Sequence, residues 1–155
     1  MKTTTLSFFV KEGKVLLAIK KRGFGMGKWN GVGGKVNESE DIKAAAVREI
    51  MEEVGIEVLP EHLQAVGTLK FSYESKPDWD QVCHLFMVQE WNGEAKESEE
   101  MRPKWYPVDQ LPFGSMWVDD PHWLPKVLAG NSVDGEFSFD ATGGAMKDFN
   151  VKVRL

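Results

Sequence analysis

A glycine-dense segment directly upstream of an acidic helix constrains this chain more than any other feature. The segment runs from Gly23 to Gly34, and six of its twelve residues are glycine. Strands and helices rarely tolerate so much glycine, so this backbone either turns sharply or is approached closely by another group. Exposed peptide groups next to a helix N-terminus accommodate anions. The sequence therefore predicts a ligand-binding loop at this point.

The clearest helix follows this loop and is predicted over Ser39–Val54. Either Asn37 or Ser39 can cap its start, and Asp41 suits the positive first turn. Gly55 can adopt the left-handed conformation that ends a helix. Three consecutive alanines favour helix in its middle.

Three acids share one face of this helix. With about 100° per residue, Glu49 and Glu53 fall about 20° either side of Ile42, next to the apolar stripe, and Glu52 lies about 80° away. Like charges at these spacings repel one another. The cluster is either a solvated acidic face or a site for a hard divalent cation, which prefers oxygen ligands.

The rest of the chain alternates β-rich runs with a second helix, which predicts an α+β fold or an αβα sandwich in a single domain, residues 1–155. Lys11–Lys14 reads as a hairpin turn and Gly130 as the end of the second helix. Strands are predicted over 3–10, 15–20, 64–73, 81–91 and 105–108, a helix over 121–128, and a last hairpin over 136–140 and 149–155.

Composition limits the class of partner. Nineteen basic against 24 acidic residues give a formal charge of -5, which disfavours nucleic acid as a partner but allows a small phosphorylated ligand. The single cysteine, Cys83, excludes an internal disulfide and a multi-cysteine zinc site, so a cytoplasmic location is expected. No apolar run is long enough for a membrane span.

The spacing of the acidic helix matches a known motif. Gly34, Glu40, Arg48-Glu49-Ile50, Glu52-Glu53 and Gly55-Ile56 occupy every fixed position of the Nudix box. The chain therefore resembles the Nudix hydrolases. The resemblance implies an αβα sandwich with a mixed sheet, and a loop–helix–loop motif that binds Mg²⁺, with Mn²⁺ as a substitute, and cleaves a pyrophosphate linkage.

The resemblance also assigns roles. Glu49, Glu52 and Glu53 match metal ligands, and Gly33 offers a backbone carbonyl to the metal. Arg48 matches an arginine that orients the acids. Glu53 or Glu52 is expected to accept the proton of the attacking water, and spacing does not separate base from ligand.

Outside the box, the chain is similar to the oxidised purine nucleoside triphosphate hydrolases, over the stretches 20–25, 29–36, 100–103, 105, 110–113 and 116–120, and at positions 123 and 125. Trp117 offers a stacking surface for a base. Asp119 and Asp120 would rarely both ionise in an apolar site, so together they present a donor and an acceptor. Asn30 adds an amide group that can both donate and accept a hydrogen bond.

The same resemblance extends the site. Phe24 and Phe71 match apolar walls of the base pocket, and Thr5 and Lys20 match polar contacts to the nucleotide. Glu100 matches an acid outside the box that contributes to the metal site. Plain core positions for Trp117, Phe24 and Phe71, and a simple helix cap at Asp119-Asp120-Pro121, remain alternative interpretations.

The sequence thus predicts a monomeric Mg²⁺-dependent enzyme that hydrolyses oxidised purine nucleoside triphosphates, such as 8-oxo-dGTP and 2-oxo-dATP, to monophosphate and pyrophosphate. Two alternatives stay open: Nudix chemistry on an ADP-sugar or dinucleoside polyphosphate, and a nucleotide-binding module without catalysis. The segment Tyr73–Asp80 is one residue longer than in the animal relatives and contains Trp79 near the expected pocket mouth. The exact base preference is therefore not predicted.

Overall fold

The computed structural model describes residues 1–154, and within them the chain forms eight β-strands and two α-helices. The helices are α1 (Ile42–Val54) and α2 (Asp120–Leu128). The strands are β1 (Lys2–Lys11), β2 (Lys14–Lys20), β3 (Trp29–Asn30), β4 (Leu63–Tyr73), β5 (Gln81–Val88), β6 (Met101–Pro107), β7 (Val133–Phe139) and β8 (Met146–Val153). Of these helices, neither has the length and apolar character that crossing a bilayer demands.

Strand β1 connects a mixed sheet to a smaller antiparallel one. In the mixed sheet the order is β1-β5-β4-β7-β8, with β1 parallel to β5, β4 parallel to β7 and the other neighbours antiparallel. At its end β1 turns into β2 through a hairpin that pairs Val10 with Val15. Strand β2 also pairs with β3 and β6. Parallel pairing of β1 and β5 brings the first strand to the middle of the molecule.

Side-chain alternation along β1 sends neighbouring phenylalanines to two different cores. Phe9 packs with Ile50 and Val54 of α1, whereas Phe8 packs with Trp123 and other residues of α2. Both phenylalanines are fully buried. Because successive side chains of a strand point to opposite faces, this places one helix layer on each side of the sheets. The predicted α+β sandwich is confirmed.

The start of α1 differs from the prediction. The helix begins at Ile42, and its cap is Asp41, whose side chain accepts a hydrogen bond from the Ala44 amide at 3.1 Å. Ser39 cannot cap because its φ of 65° places it in a left-handed turn. The predicted caps Asn37 and Ser39 are therefore wrong, since the chain turns once more before the helix starts. Gly55, at φ 70°, ends the helix as predicted.

Several strand boundaries also differ. Strand β6 starts at Met101 rather than Trp105, because pairing with the whole of β2 extends it through Pro103. Strand β5 ends at Val88 instead of Trp91. The last hairpin is confirmed, but both of its strands begin earlier than predicted, and the predicted end of its second strand, Leu155, lies outside the described residues.

Candidate active site

A cavity of about 230 Å³ lies between the glycine-dense loop and the start of α2. Strands β1, β4 and β5 contribute its walls, the loop covers one side, and Asp119 and Asp120 lie at the start of α2. All eight residues predicted to contact substrate line it together with Gly33 and Glu53: Thr5, Lys20, Phe24, Asn30, Phe71, Trp117, Asp119 and Asp120. The fold thus brings residues that are over 100 positions apart in sequence around one space.

Glu53 lies at the acidic end of this cavity. Its side chain is only 6% exposed, and its Oε1 accepts a hydrogen bond from the Gly33 amide at 2.9 Å. Burial raises the pKa of Glu53 to about 8 in spite of that bond, and the charges of Glu49 and Glu100 act in the same direction. A carboxyl group with a pKa near neutrality suits proton transfer.

Arg48 holds the other acids of α1 in place. Its Nε and Nη2 donate to the two carboxylate oxygens of Glu40 at 2.8 and 2.9 Å. Its Nη1 donates to Glu49 at 2.9 Å and to Glu52 at 3.4 Å. A two-pronged guanidinium–carboxylate pair fixes both partners in one plane. The side chain of Arg48 is thereby anchored to the loop before α1 and positions Glu49.

Two glycines allow the loop to approach these acids. A Cβ on Gly34 would lie 2.6 Å from Oε2 of Glu49, and a Cβ on Gly33 would collide with the backbone carbonyl of Thr5. Both contacts would be much shorter than van der Waals contact. At Gly33 the backbone of Thr5 leaves no room for any side chain, whereas at Gly34 a side chain would displace the carboxylate of Glu49, which explains the glycine pair that ends the loop.

The acidic end has an oxygen donor set that fits a hard divalent cation. Burial raises the pKa of Glu49, and the charges of Glu52 and Glu100 raise it further, so these carboxylates lie within electrostatic reach of one another. Within residues 1–154, however, no three His, Cys, Asp or Glu side chains are grouped as around a bound ion. Glu49 is instead turned to Arg48, and Glu53 to the Gly33 amide.

Two aspartates that line the same cavity form a buried pair. Asp119 and Asp120 are 4% and 2% exposed, and each carboxyl group affects the pKa of the other. Asp119 also accepts a hydrogen bond from Trp123 Nε1 at 2.8 Å. Burial and the charge of Asp119 raise the pKa of Asp120 well above its ordinary value. Two buried carboxyl groups this close do not both ionise readily, so the pair is expected to share one proton.

This arrangement excludes the simple helix cap. Asp119 occupies the N-cap position of α2, but its side chain makes no capping hydrogen bond. Oδ2 of Asp120 is buried and has no partner among the described residues. A buried polar atom without a partner is costly, and both acids line the cavity, so a ligand is the natural partner.

Aromatic residues form the remaining wall. Phe24 stacks on Trp117 with ring centroids 5.3 Å apart and an interplanar angle of 29°, and Phe24 is 65% exposed. Asn30 accepts a hydrogen bond from the Gly31 amide through Oδ1, so its amide nitrogen remains for a ligand. Thr5 Oγ1 is buried without a partner among the described residues.

Some predicted residues lie outside the cavity lining. Arg48, Glu49, Glu52 and Glu100 lie outside the wall, although Glu49 and Glu100 raise the pKa of Glu53. Glu52 is 59% exposed on its side chain. The four residues therefore lie behind or beside the acidic end rather than in contact with the space itself.

Sequence reasoning missed several lining residues. Tyr73 lies two residues after Phe71 on β4, so period-two alternation could have found it. Lys28, whose Nζ lies 5.5 Å from the Trp117 ring centroid, belongs to the predicted ligand-binding loop but was not singled out. Further lining residues that were not predicted are Thr4, Gly25, Gln81, Cys83 and Met101.

Comparison with known proteins agrees with this architecture. The NUDIX domain family matches residues 2–127, and the chain belongs to this family. A MutT protein from Bacillus halodurans has a similar structure, with a TM-score of 0.81 and 24% identity over 98% of both chains. That likeness shows the fold.

Two curated relatives are more similar in sequence. The oxidized purine nucleoside triphosphate hydrolase of Danio rerio is 45% identical over 138 residues, which cover 89% of this chain and 86% of the relative. The protein of the same name from Mus musculus is 44% identical over 135 residues, covering 87% and 85%.

Proposed function

We propose that this Nudix protein hydrolyses oxidised purine nucleoside triphosphates, such as 8-oxo-dGTP and 2-oxo-dATP, to the monophosphate and pyrophosphate. The observation that carries this proposal is one cavity lined both by a buried aspartate pair and by Glu53 of the Nudix motif. The names of the two similar relatives support the same substrate class. The consequence would be removal of damaged precursors from the nucleotide pool.

The base would bind between Trp117 and the aspartate pair. Stacking on Trp117 is worth roughly 1–3 kcal/mol and tolerates any base. Protonated Asp120 donates and ionised Asp119 accepts, and Asn30 adds a donor, so the edge of a purine can be matched by several donor–acceptor orders. Phe24 and Phe71 enclose the base from the sides.

The phosphates would lie toward the glycine loop. Lys20 lines the cavity and lies close enough to Glu53 to lower its pKa, so its ammonium group can bind the phosphate chain next to the acids. Thr5 offers a buried hydroxyl without a partner among residues 1–154, which suits a polar contact to the nucleotide.

The acidic end would hold the divalent ion. Glu49, Glu52, Glu53 and Glu100 supply carboxylates, and Gly33 supplies a backbone carbonyl, a donor set that suits Mg²⁺ or Mn²⁺. When bound, such an ion neutralises phosphate charge and lowers the pKa of a water molecule. Displacing the Arg48 and Gly33 contacts of Glu49 and Glu53 would free their oxygens.

Proton transfer and the positioning of the acids are assigned to residues of the chain. Glu53 is buried and lines the cavity, whereas Glu52 faces solvent, so we assign the proton-accepting role to Glu53. Arg48 is a positioning residue that keeps Glu49 facing the loop. The substrate is a free nucleotide rather than nucleic acid, in line with the charge of -5, and the protein would act as a cytoplasmic monomer.

The decisive experiment compares kcat/KM for 8-oxo-dGTP, 2-oxo-dATP, dGTP and O6-methyl-dGTP, with an ADP-sugar and a dinucleoside polyphosphate as controls. Preference for the oxidised purines by at least tenfold over the controls is expected. Faster turnover of the ADP-sugar or the dinucleotide would overturn the substrate class. Binding of these nucleotides with Mg²⁺ but without turnover would show a binding module instead.

A further inference from the structure

A row of aromatic rings runs along the solvent-exposed edge of the cavity, and one member of the row has no role in the proposed function. The ring centroid of Phe24 lies 5.3 Å from that of Trp117 and 6.3 Å from that of Trp79. The ring of Trp79 in turn meets Tyr73 edge-on, at 5.6 Å and 82°. Trp117, Phe24 and Tyr73 line the cavity, whereas Trp79 lies behind the lining and joins two of these residues.

Phe24 is held less firmly than the other apolar wall of the pocket. It is 65% exposed, whereas Phe71 on β4 is 9% exposed. Phe24 lies outside the strands, between Gly23 at φ 79° and Gly25 at φ 86°. Glycine restricts the backbone little, so the turn itself does not fix the side chain. The position of the Phe24 ring therefore depends on the rings beside it.

Trp79, by contrast, is fastened to the sheet. It ends a single 3₁₀ turn, Pro77–Trp79. The next residue, Asp80, accepts a hydrogen bond through Oδ1 from the Tyr73 amide at 2.9 Å. The carbonyl oxygen of Asp80 accepts another from the Lys2 amide at 3.0 Å. These bonds tie the turn to β4 and β1, so Trp79 is a fixed support for Phe24.

The indole of Trp79 has further neighbours. Nζ of Lys76 lies 5.1 Å from the ring centroid, within the range of a cation–π contact. Gly143, in the turn between β7 and β8, comes so close that a Cβ there would lie 3.7 Å from Cζ3 of Trp79. The indole therefore lies next to both this turn and the glycine-dense loop.

We propose that Trp79 is a positioning residue that holds Phe24 at the edge of the base pocket, so that the pocket is preorganised before a nucleotide binds. This inference rests on the proposed function and deepens it. Without Trp79, binding has to order the Phe24 side chain, which weakens the affinity. Because Phe24 contacts a base through apolar area, the loss is the same for every purine. Trp79 thus sets affinity, whereas the aspartate pair selects the base.

Fluorine NMR of the ligand-free protein tests the position of Phe24 directly. With 4-fluorophenylalanine incorporated at position 24, the ring currents of the neighbouring indoles should shift the resonance away from that of an exposed ring. Trp79→Ala should move the resonance toward the exposed value, and Trp79→Phe should restore about half of the shift. An unchanged resonance in Trp79→Ala would overturn the positioning role.

Calorimetry in chelator measures the consequence for binding of 8-oxo-dGMP and 2-oxo-dAMP. We expect Trp79→Ala to weaken the binding of both by about fivefold, and Trp79→Phe to stay within about twofold of the wild type. Trp91→Ala is the matched control, because it removes another half-buried tryptophan, which packs on Phe9 outside the cavity. An equal loss in Trp91→Ala, or a loss for only one of the two nucleotides, would contradict the proposal.

A double-mutant cycle shows whether Trp79 acts through Phe24. Phe24→Ala should itself weaken both nucleotides, and Trp79→Ala should then have no further effect, because the ring that it supports is gone. Additive losses would mean that Trp79 does not act through Phe24.

These outcomes are separable from the proposed function. Absence of triphosphate turnover in the wild type would reject that function, while the NMR measurement would still decide the role of Trp79. For an active enzyme, Trp79→Ala should raise KM for 8-oxo-dGTP about fivefold with kcat within about twofold. A fall in kcat at unchanged KM would rule out a role in positioning the pocket for binding.

Discussion

Carboxyl groups in this protein have very different pKa values because their surroundings differ. Two hydrogen bonds from Arg48 and one from the Asn37 amide lower the pKa of Glu40 to about 2. Burial raises that of Glu53 to about 8, although both residues belong to the same motif. The pKa of Asp120 is also raised well above its ordinary value, by burial and by the charge of Asp119. The structure thus separates an acid whose charged form is stabilised by Arg48 from buried acids whose neutral form is favoured.

Glu53→Gln is expected to lower kcat by several orders of magnitude while the free energy of unfolding in chelator stays unchanged or rises by about 1 kcal/mol, because the amide cannot become a buried charge beside Glu49 and Glu100. Steady-state kinetics and thermal melting would measure both. Glu61→Gln, at an exposed glutamate far from the cavity, is the control and should change neither. Retained activity with a large loss of stability would make Glu53 a structural residue.

Asp120→Asn is expected to change the pH dependence of stability. Burial raises the pKa of both acids of the pair, so their contribution is present at acid pH and is lost as pH rises through their folded-state pKa values. Unfolding by urea between pH 5 and pH 9 should show a decline in the wild type and a flatter curve in Asp120→Asn. A decline of equal slope in both proteins would place the titrating group elsewhere.

The same pair should also govern binding. Asp119→Asn and Asp120→Asn should each weaken the binding of 8-oxo-dGMP by on the order of 2 kcal/mol, because one buried donor or acceptor loses its hydrogen-bond partner. Trp117→Ala should weaken the binding of oxidised and unmodified purine nucleotides alike, since stacking does not depend on the edge of the base. If both asparagine variants kept wild-type affinity, the base would bind elsewhere.

At the scale of elements, the loop and α1 act as one unit in which backbone and side chains interlock. Motif spacing in the sequence predicts the helix, its acidic face and Gly55, because these depend on local periodicity. The predicted cap of α1 is wrong because the chain forms a left-handed turn at Ser39 before the helix starts. Beside this turn, the carboxylate of Glu40 accepts hydrogen bonds from the Asn37 amide and from Arg48. Such a network of bonds is not visible in spacing alone.

Gly34→Ala is expected to separate activity from stability. The new Cβ would meet the end of the Glu49 side chain, which can move, so the free energy of unfolding should change by less than about 1 kcal/mol. Because Glu49 is displaced, kcat/KM should fall at least tenfold. Gly114→Ala, where a Cβ meets nothing within 4 Å, is the matched control for the loss of glycine. Full activity of Gly34→Ala would show that the position of Glu49 does not matter.

At the scale of the whole molecule, the cavity is assembled from distant parts of the chain. Resemblance predicts eight of its lining residues, and the structure places all eight there. The hydrogen bond between Thr4 and Gln81 in the cavity wall could not be predicted, since it depends on the parallel register that places Lys2 opposite Gln81. Parallel pairing of strands from different regions leaves no local pattern, and only the fold reveals it.

Metal addition is expected to stabilise the whole fold. Chelator should abolish hydrolysis, and Mg²⁺ should restore it and raise the melting temperature, because a ligand that binds only the folded state adds about 2.7 kcal/mol at 100 times its Kd. Glu53→Gln should show a smaller rise in melting temperature. Full turnover in excess chelator would contradict the assignment of Glu49, Glu52, Glu53 and Glu100 to the ion.

The buried position of Cys83 bears on how the protein withstands oxidants. The thiol lines the cavity, and burial raises its pKa to about 12. Peroxides attack the thiolate, which at neutral pH makes up on the order of one part in 10⁵ of such a group. The thiol of Cys83 is therefore expected to resist oxidation to sulfenic acid. The cavity would then stay intact under the oxidative stress that damages nucleotides.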